Sequence, residues 1–162
     1  MPKFEKIDEN RKDLFVTGSV NKDQKKLREF YKDNIKTFIK AFDVTKKILN
    51  INDDKILFIR NIRSYAGFYR NAKKEIAIDI RSRNIKDIIS TIIHECTHAL
   101  QYQNGDLKKD IKNPRHFIWL NKDSIRKYSP KQNHKKYMNL PWEIQAREFE
   151  KKYIDQVMKE VK

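Results

Sequence analysis

Between Asn84 and Gly105 two patterns are superimposed, and together they restrict what the chain can fold into. Ile85, Ile88, Ile89, Ile92, Ile93, Cys96 and Leu100 recur at three- and four-residue spacing, which marks one buried face of a helix. Asn84 is a good N-cap and Gly105 a good stop, so the spacing predicts a helix from Ile85 to about Gln103. A face this apolar has to be covered by a sheet or by other helices, which fixes the place of the core around this one element.

The second pattern is His94-Glu95-Cys96-Thr97-His98, an H-E-x-x-H motif on the side of the helix away from the isoleucines. Residues four apart lie one turn apart on the same face, so both imidazoles can reach one ion. Zinc accepts neutral imidazole nitrogen at about 2.0–2.1 Å. Glu95 stands beside the first of these ligands, where its carboxylate can approach a water on the metal and take its proton as the water attacks. Catalytic zinc sites use three protein ligands and leave one position for water. The position six residues beyond His98 is Asn104, which excludes a third histidine at that spacing. His116, His134, Glu143, Glu148 and Glu150 are the downstream candidates. Glu143 is favoured, because it opens a helix just after Pro141 and because Ala146, one turn later, leaves room for the histidine helix to approach.

The rest of the chain supplies what that helix needs. Residues 1–20 carry weak signals and read as a partly disordered N-terminal segment, with Thr17-Gly18-Ser19 as a turn. Residues 21–162 form a single domain. Asn21 to Asn50 reads as an amphipathic helix with Leu27, Phe30, Tyr31, Ile35, Phe38, Ile39 and Phe42 on one face, broken by Asp53-Asp54. Lys55–Ile62, Ser64–Arg70 and Glu75–Ile80 read as three strands of a small, mostly antiparallel sheet, with a polar turn at Asn71–Lys74. Gly67, inside the second strand, suggests a bulge or a close approach by another backbone. Asp106 to Leu140 contains Pro114 and Pro130 and reads mainly as loop, with a helical turn over Ser124–Tyr128. The last helix runs from Pro141-Trp142 to about Lys159, with Trp142, Ala146, Phe149, Tyr153 and Val157 on one face.

Composition narrows the function classes. No stretch approaches the roughly 20 apolar residues of a membrane span. The first ten residues alternate charge with single apolar side chains and contain no apolar signal segment, so the expected location is cytoplasmic. Cys96 is the single cysteine, which excludes an internal disulfide; on the isoleucine stripe it reads as a small buried hydrophobe. The net charge of +15 makes nucleic-acid association a secondary possibility. Lys, Ile and Asn supply 61 of 162 residues, however, which looks like a residue bias of the whole chain, and the basic residues are spread along it. Tyr102, His134 and Tyr137 are each able to stabilise an oxyanion. Arg147 has Glu143, Glu95 or solvent open to it, and Trp119 and Trp142 read as core anchors.

Gly67-Phe68-Tyr69, Ile76 to Ile80, the H-E-x-x-H helix, and Tyr137 to Ala146 with its Glu143-Ile144-Gln145-Ala146 follow one another in an order that resembles the gluzincin clan of zinc metallopeptidases. The nearest likeness is to its smallest members, the minigluzincins and IrrE-like peptidases, and to related proteins of phages and mobile elements. The resemblance covers roughly residues 55 to 150. It implies a zincin-like fold with zinc held by His94, His98 and Glu143, and Glu95 as general base. It also implies that one strand of the sheet lines the cleft and pairs with an extended substrate. In SprT-like relatives the third ligand is a histidine after the H-E-x-x-H helix, which keeps His116 open.

The expectation is therefore an α+β domain: a three-stranded, mostly antiparallel sheet packed on the H-E-x-x-H helix, with N- and C-terminal helices. Its expected activity is hydrolysis of peptide bonds in a protein or peptide substrate through a zinc-activated water. The alternatives are a zinc-binding sensor or interaction module, for which an intact Glu95 would be unnecessary, and a basic nucleic-acid-associated protein.

Overall fold

Asn50 and Gly105 set the ends of two of the long helices around which the chain is arranged. The described residues of the computed structural model are 4–6, 14–17, 25–52, 56–60, 66–80 and 84–162. Helix α1 (Lys25–Leu49) ends where Asn50 turns left-handed at φ 54°, with Asn50 N–H donating to Lys47 O (3.3 Å) and Ile51 N–H to Lys46 O (2.9 Å). Helix α2 (Ile85–Gln103) ends the same way at Gly105, φ 74°, with Gly105 N–H on Tyr102 O (3.1 Å) and Asp106 N–H on Gln101 O (2.9 Å). Both are Schellman stops, in which a left-handed residue lets the next two amides close over the last free carbonyls. The Asn84 side chain accepts the Asp87 amide at 3.1 Å and caps the start of α2. The break expected at residues 53–54, the start of the first helix at 21–24 and the turn at 18–19 lie outside the described residues.

Among the described residues the main sheet has five strands, not three, and is mixed. Strands β1 (Phe4–Lys6), β2 (Leu14–Thr17), β3 (Ile56–Arg60), β4 (Gly67–Arg70) and β5 (Glu75–Asp79) stand in the order β1-β2-β3-β5-β4. β1 with β2 and β4 with β5 are antiparallel; β2 with β3 and β3 with β5 are parallel. The cause lies in the connections. Parallel neighbours need a crossover of a dozen or more residues, and α1 is that crossover between β2 and β3. A tight turn joins β4 to β5, with Lys74 left-handed at φ 54° and its amide on Asn71 O at 3.2 Å. That hairpin takes the place beyond β3 and leaves β4 at the sheet edge. Two short strands thus occupy residues 4–6 and 14–17 of the segment expected to be partly disordered.

Ile88, Ile89, Ile92, Ile93 and Cys96 of α2 are buried among Phe38 and Phe42 of α1, Ile76 and Ile78 of β5, and Val157. Each fully buried isoleucine contributes roughly 1.5–3 kcal/mol, so this stripe is the largest single source of order in the molecule. Helix α4 (Pro141–Glu160) lies along α2, with Ala146 fully buried between them.

Residues 106–140 are not mainly loop. They form a second, three-stranded antiparallel sheet, β6 (Leu107–Lys109), β7 (His116–Trp119) and β8 (Asp123–Arg126), followed by the one-turn helix α3 (His134–Met138). β8 occupies most of the segment expected as a helical turn. The β7–β8 hairpin turns through Leu120 and Asn121, both left-handed (φ 53° and 57°), with Lys122 N–H on Trp119 O at 3.0 Å. This is the backbone twist that suits two antiparallel strands, and it is normally marked by glycine. Leu107, Phe117, Trp119, Leu140 and Trp142 make a second, smaller core under this sheet, so both tryptophans are core anchors.

Gly67 sets how close β4 lies to α2. A Cβ there would stand 2.8 Å from Ala77 O and 2.8 Å from Thr91 Cγ2. The backbone oxygen cannot yield cheaply, so Gly67→Ala is expected to destabilise the fold by about 1–3 kcal/mol, the usual scale for overpacking. Urea denaturation at fixed pH measures it; an unchanged midpoint would mean that β4 moves away from α2 freely.

Candidate metal centre

The centre is built across the α2–α4 contact. His94 and His98 project one turn apart from α2, their ring centroids 4.9 Å apart and their planes nearly perpendicular. Glu143, in the first turn of α4, reaches back between them: Oε2 stands 3.0 Å from His94 Nε2 and Oε1 3.2 Å from His98 Nε2. One ligand atom from each of the three residues lies within 4.8 Å of the others, so the group could hold a metal ion. Pro141 at the start of α4 and Ala146 one turn on have the effects expected of them. The first fixes the entry of the helix, and the second lets α2 come close.

Every metal-facing nitrogen has its ring held from behind. His94 Nδ1–H donates to Glu150 Oε1, whose other oxygen accepts Ser90 Oγ at 2.7 Å. His98 Nδ1 meets Gln101 Oε1 at 2.9 Å, and Gln101 Nε2 donates to Trp142 O (3.0 Å) and Gln145 Oε1 (2.9 Å). Such partners fix the tautomer with the proton on Nδ1 and leave Nε2 for a metal. Sequence reading left Glu150 among the possible ligands and missed Gln101. Both were within reach of helical spacing: Glu150 is two turns beyond Glu143, and Gln101 three residues beyond His98.

The other candidates do not converge. His116 sits on β7 with Nδ1 3.2 Å from Ser124 Oγ, and His134 and Glu148 are exposed to solvent. Arg147 pairs with neither Glu143 nor Glu95; its guanidinium donates to the Met138 carbonyl and braces the end of α3. Cys96 is buried in the core, where burial pushes its thiol pKa up and keeps it inert.

Beside the three-residue group opens a cleft of about 500 Å³ between the two cores. Edge strand β4, Glu95 and Tyr102 form one wall, and Phe117, Lys127, Tyr137 and Trp142 the other. Glu95 is buried, and burial raises its carboxyl pKa against the pull of His98 and His94. Burial also raises the Tyr137 phenol, as does the negative charge of Glu143, so it stays protonated beside that carboxylate. Burial lifts Tyr102 to about 12. Glu143 is pulled the other way: burial opposes its charge, but hydrogen bonds from His94 and His98 hold the carboxyl well below its usual range.

Comparison with family models, curated proteins and solved structures gives no match to this chain. The assignment therefore rests on the residues themselves. Among the described residues, no helix is long and apolar enough to cross a membrane.

Two expectations follow from this geometry. Protein loaded with zinc is expected to bind one ion per chain. Glu143→Ala should lose it on desalting, whereas Glu150→Ala should keep the stoichiometry with affinity weakened about 10–100-fold, the usual effect of removing a ligand's supporting partner. Competition against a chromophoric chelator reads both; equal affinity in all three proteins would show the ion to be bound elsewhere.

The second concerns pH. Burial alone would lower the His94 pKa, but Glu143, Glu150 and Glu95 outweigh it and raise it to about 10, from 6.5. Folding of the metal-free protein thus favours the protonated ring. That stability is fully present below about pH 6.5 and is lost as pH rises through about 10. The raised Glu95 carboxyl acts in the same direction. Metal-free protein should therefore lose thermal stability on the alkaline side, and the zinc-loaded form should not, because the ion replaces the proton. Parallel melting curves of the two forms across that range would sink the assignment of His94 to the cluster's charge balance.

Proposed function

We propose that the chain is a zinc-dependent metallopeptidase with a zincin-like fold of the gluzincin type. The observation that carries this reading is the convergence of His94, His98 and Glu143 from two helices, with Glu95 beside them on the cleft wall. Two imidazoles and one carboxylate are a donor set that suits zinc, and three protein ligands leave a position open, as catalytic rather than structural sites do. A zinc ion held there would supply a Lewis acid that polarises a carbonyl oxygen and brings the pKa of water near neutrality.

The chain's own groups account for the remaining steps. β4, the last strand of the sheet among the described residues, lines the cleft, and an extended peptide adding beside it would bring one carbonyl opposite the centre. Glu95, with its basicity raised by burial, takes a proton from water as the water oxygen bonds to the carbonyl carbon. As the C–N bond breaks, Glu95 returns the proton to the leaving amine. Tyr137 and Tyr102 each present a protonated phenol to the cleft. Pure metal binding would not require Glu95, whose burial is costly to the fold.

Glu95→Gln is expected to keep one zinc per chain and to lose cleavage of a mixed-sequence quenched-fluorescent peptide library by at least about 100-fold. Zinc-loaded wild type that cleaves nothing, or a Glu95→Gln protein as active as wild type, would remove the peptidase reading.

A further inference from the structure

The basic charge of the chain is not evenly displayed once it is folded. Residues 107–136, which build the small sheet and α3, hold ten Lys and Arg against two Asp, a net charge of +8 out of the chain's +15. A second groove of about 410 Å³ crosses this region, lined by Arg115, Arg126 and Lys127 with Phe117, Ser129 and Gln132, and no carboxylate among its walls. Lys127 N–H donates to Arg115 O at 2.9 Å, which sets these two side chains side by side. Among the described residues no carboxylate lies within ion-pair distance of the three cations. Arg126 lies over the Tyr128 ring at 5.2 Å and Lys127 over Phe117 at 5.2 Å, contacts that orient a cation without neutralising it. Asp110, the acidic residue of this sheet nearest His116, is already held by Ser124 Oγ (2.5 Å) and the Lys112 amide (2.9 Å).

The groove adjoins the cleft: Phe117, Lys127 and Ser129 line both. A chain that left the cleft past Lys127 would meet Arg126 and Arg115, which line the groove with it. We infer that this groove is an accessory subsite for carboxylate side chains, so that the preferred substrate is a polypeptide with an acidic run on one side of the scissile bond. The inference rests on the peptidase reading for its occupant. A polypeptide is favoured over a nucleic acid because the groove shares a wall with a cleft that is also lined by β4, the last strand of the sheet among the described residues, and a strand takes a peptide backbone beside it.

The test is binding of labelled peptides to full-length, zinc-loaded Glu95→Gln protein at physiological salt, read by fluorescence anisotropy. An acidic peptide with several Glu is expected to bind at least about tenfold tighter than its Gln counterpart. Arg115→Glu with Arg126→Glu should abolish the difference, and the milder Arg115→Gln with Arg126→Gln should halve it or more. Lys151→Glu with Lys159→Glu changes the net charge equally on exposed positions of α4 and should leave it intact. Loss in that control to the same extent would reduce the effect to general charge and overturn the site, as would equal binding of both peptides. A single-stranded oligonucleotide of equal charge that binds tighter than the acidic peptide, through the same arginines, would overturn it in favour of a nucleic-acid surface. Because binding is read without cleavage, an inactive wild type with the arginine-dependent preference intact would count against the peptidase reading and not against the groove.

Discussion

Everything in the molecule depends on the Glu143 carboxylate lying between two imidazoles of another helix. Three polar groups are taken out of water at a helix–helix contact, which is expensive unless they neutralise one another. Without a metal, protons on the histidines do this, and the opposite pKa shifts of His94 and Glu143 are two views of the same arrangement. With a metal, the ion does it. Either way α2 and α4 must be held at a fixed separation, and fully buried Ala146 and the isoleucine core provide that.

The cluster also ties together two cores that have little else in common. The larger one is mostly aliphatic, with Phe38 and Phe42 among its isoleucines, and packs on the five-stranded sheet; the smaller is built from Leu107, Phe117, Trp119, Leu140 and Trp142. The cleft is the seam between them, and α2 and α4 are the elements that pass through both. Gln101 shows how tightly the seam is joined: one side-chain amide orients His98 and binds the Trp142 carbonyl of the second core. An ion that draws His94, His98 and Glu143 together would therefore act on the packing of the whole molecule, so the fold and the site share one energetic link.

The sequence made α2 legible to the residue, because helical periodicity, a cap and a stop agreed with one another over Asn84–Gly105. Glu143 could be favoured for a similar reason: a proline before it and a small residue after it are local signals. The main sheet was misread because strand order is not local. β5 comes between β3 and β4 only because α1 serves as a crossover and the β4–β5 turn is tight, and neither fact is written in any one segment. The small sheet was missed for the opposite reason. Its strands are only three or four residues long, and its hairpin turns through Leu120 and Asn121, where the expected glycine is absent.

The same lesson explains why charge counted along the chain undervalued the basic groove. Lysines and arginines are spread through the sequence, and that spread argued for a general bias. Ten of them nonetheless fall within residues 107–136 against two Asp, and folding sets three of these around one groove while Asp110 is held by Ser124. Solvent-exposed cations contribute little to stability one at a time. Three of them around one groove, two lying over aromatic rings and none within ion-pair distance of a carboxylate among the described residues, form a local field that acts on whatever enters the cleft beside it. The fold has thus set a rigid, buried, charge-balanced centre next to a solvated and unbalanced one. The first suits chemistry on a peptide bond, and the second suits the choice of which chain to bring there.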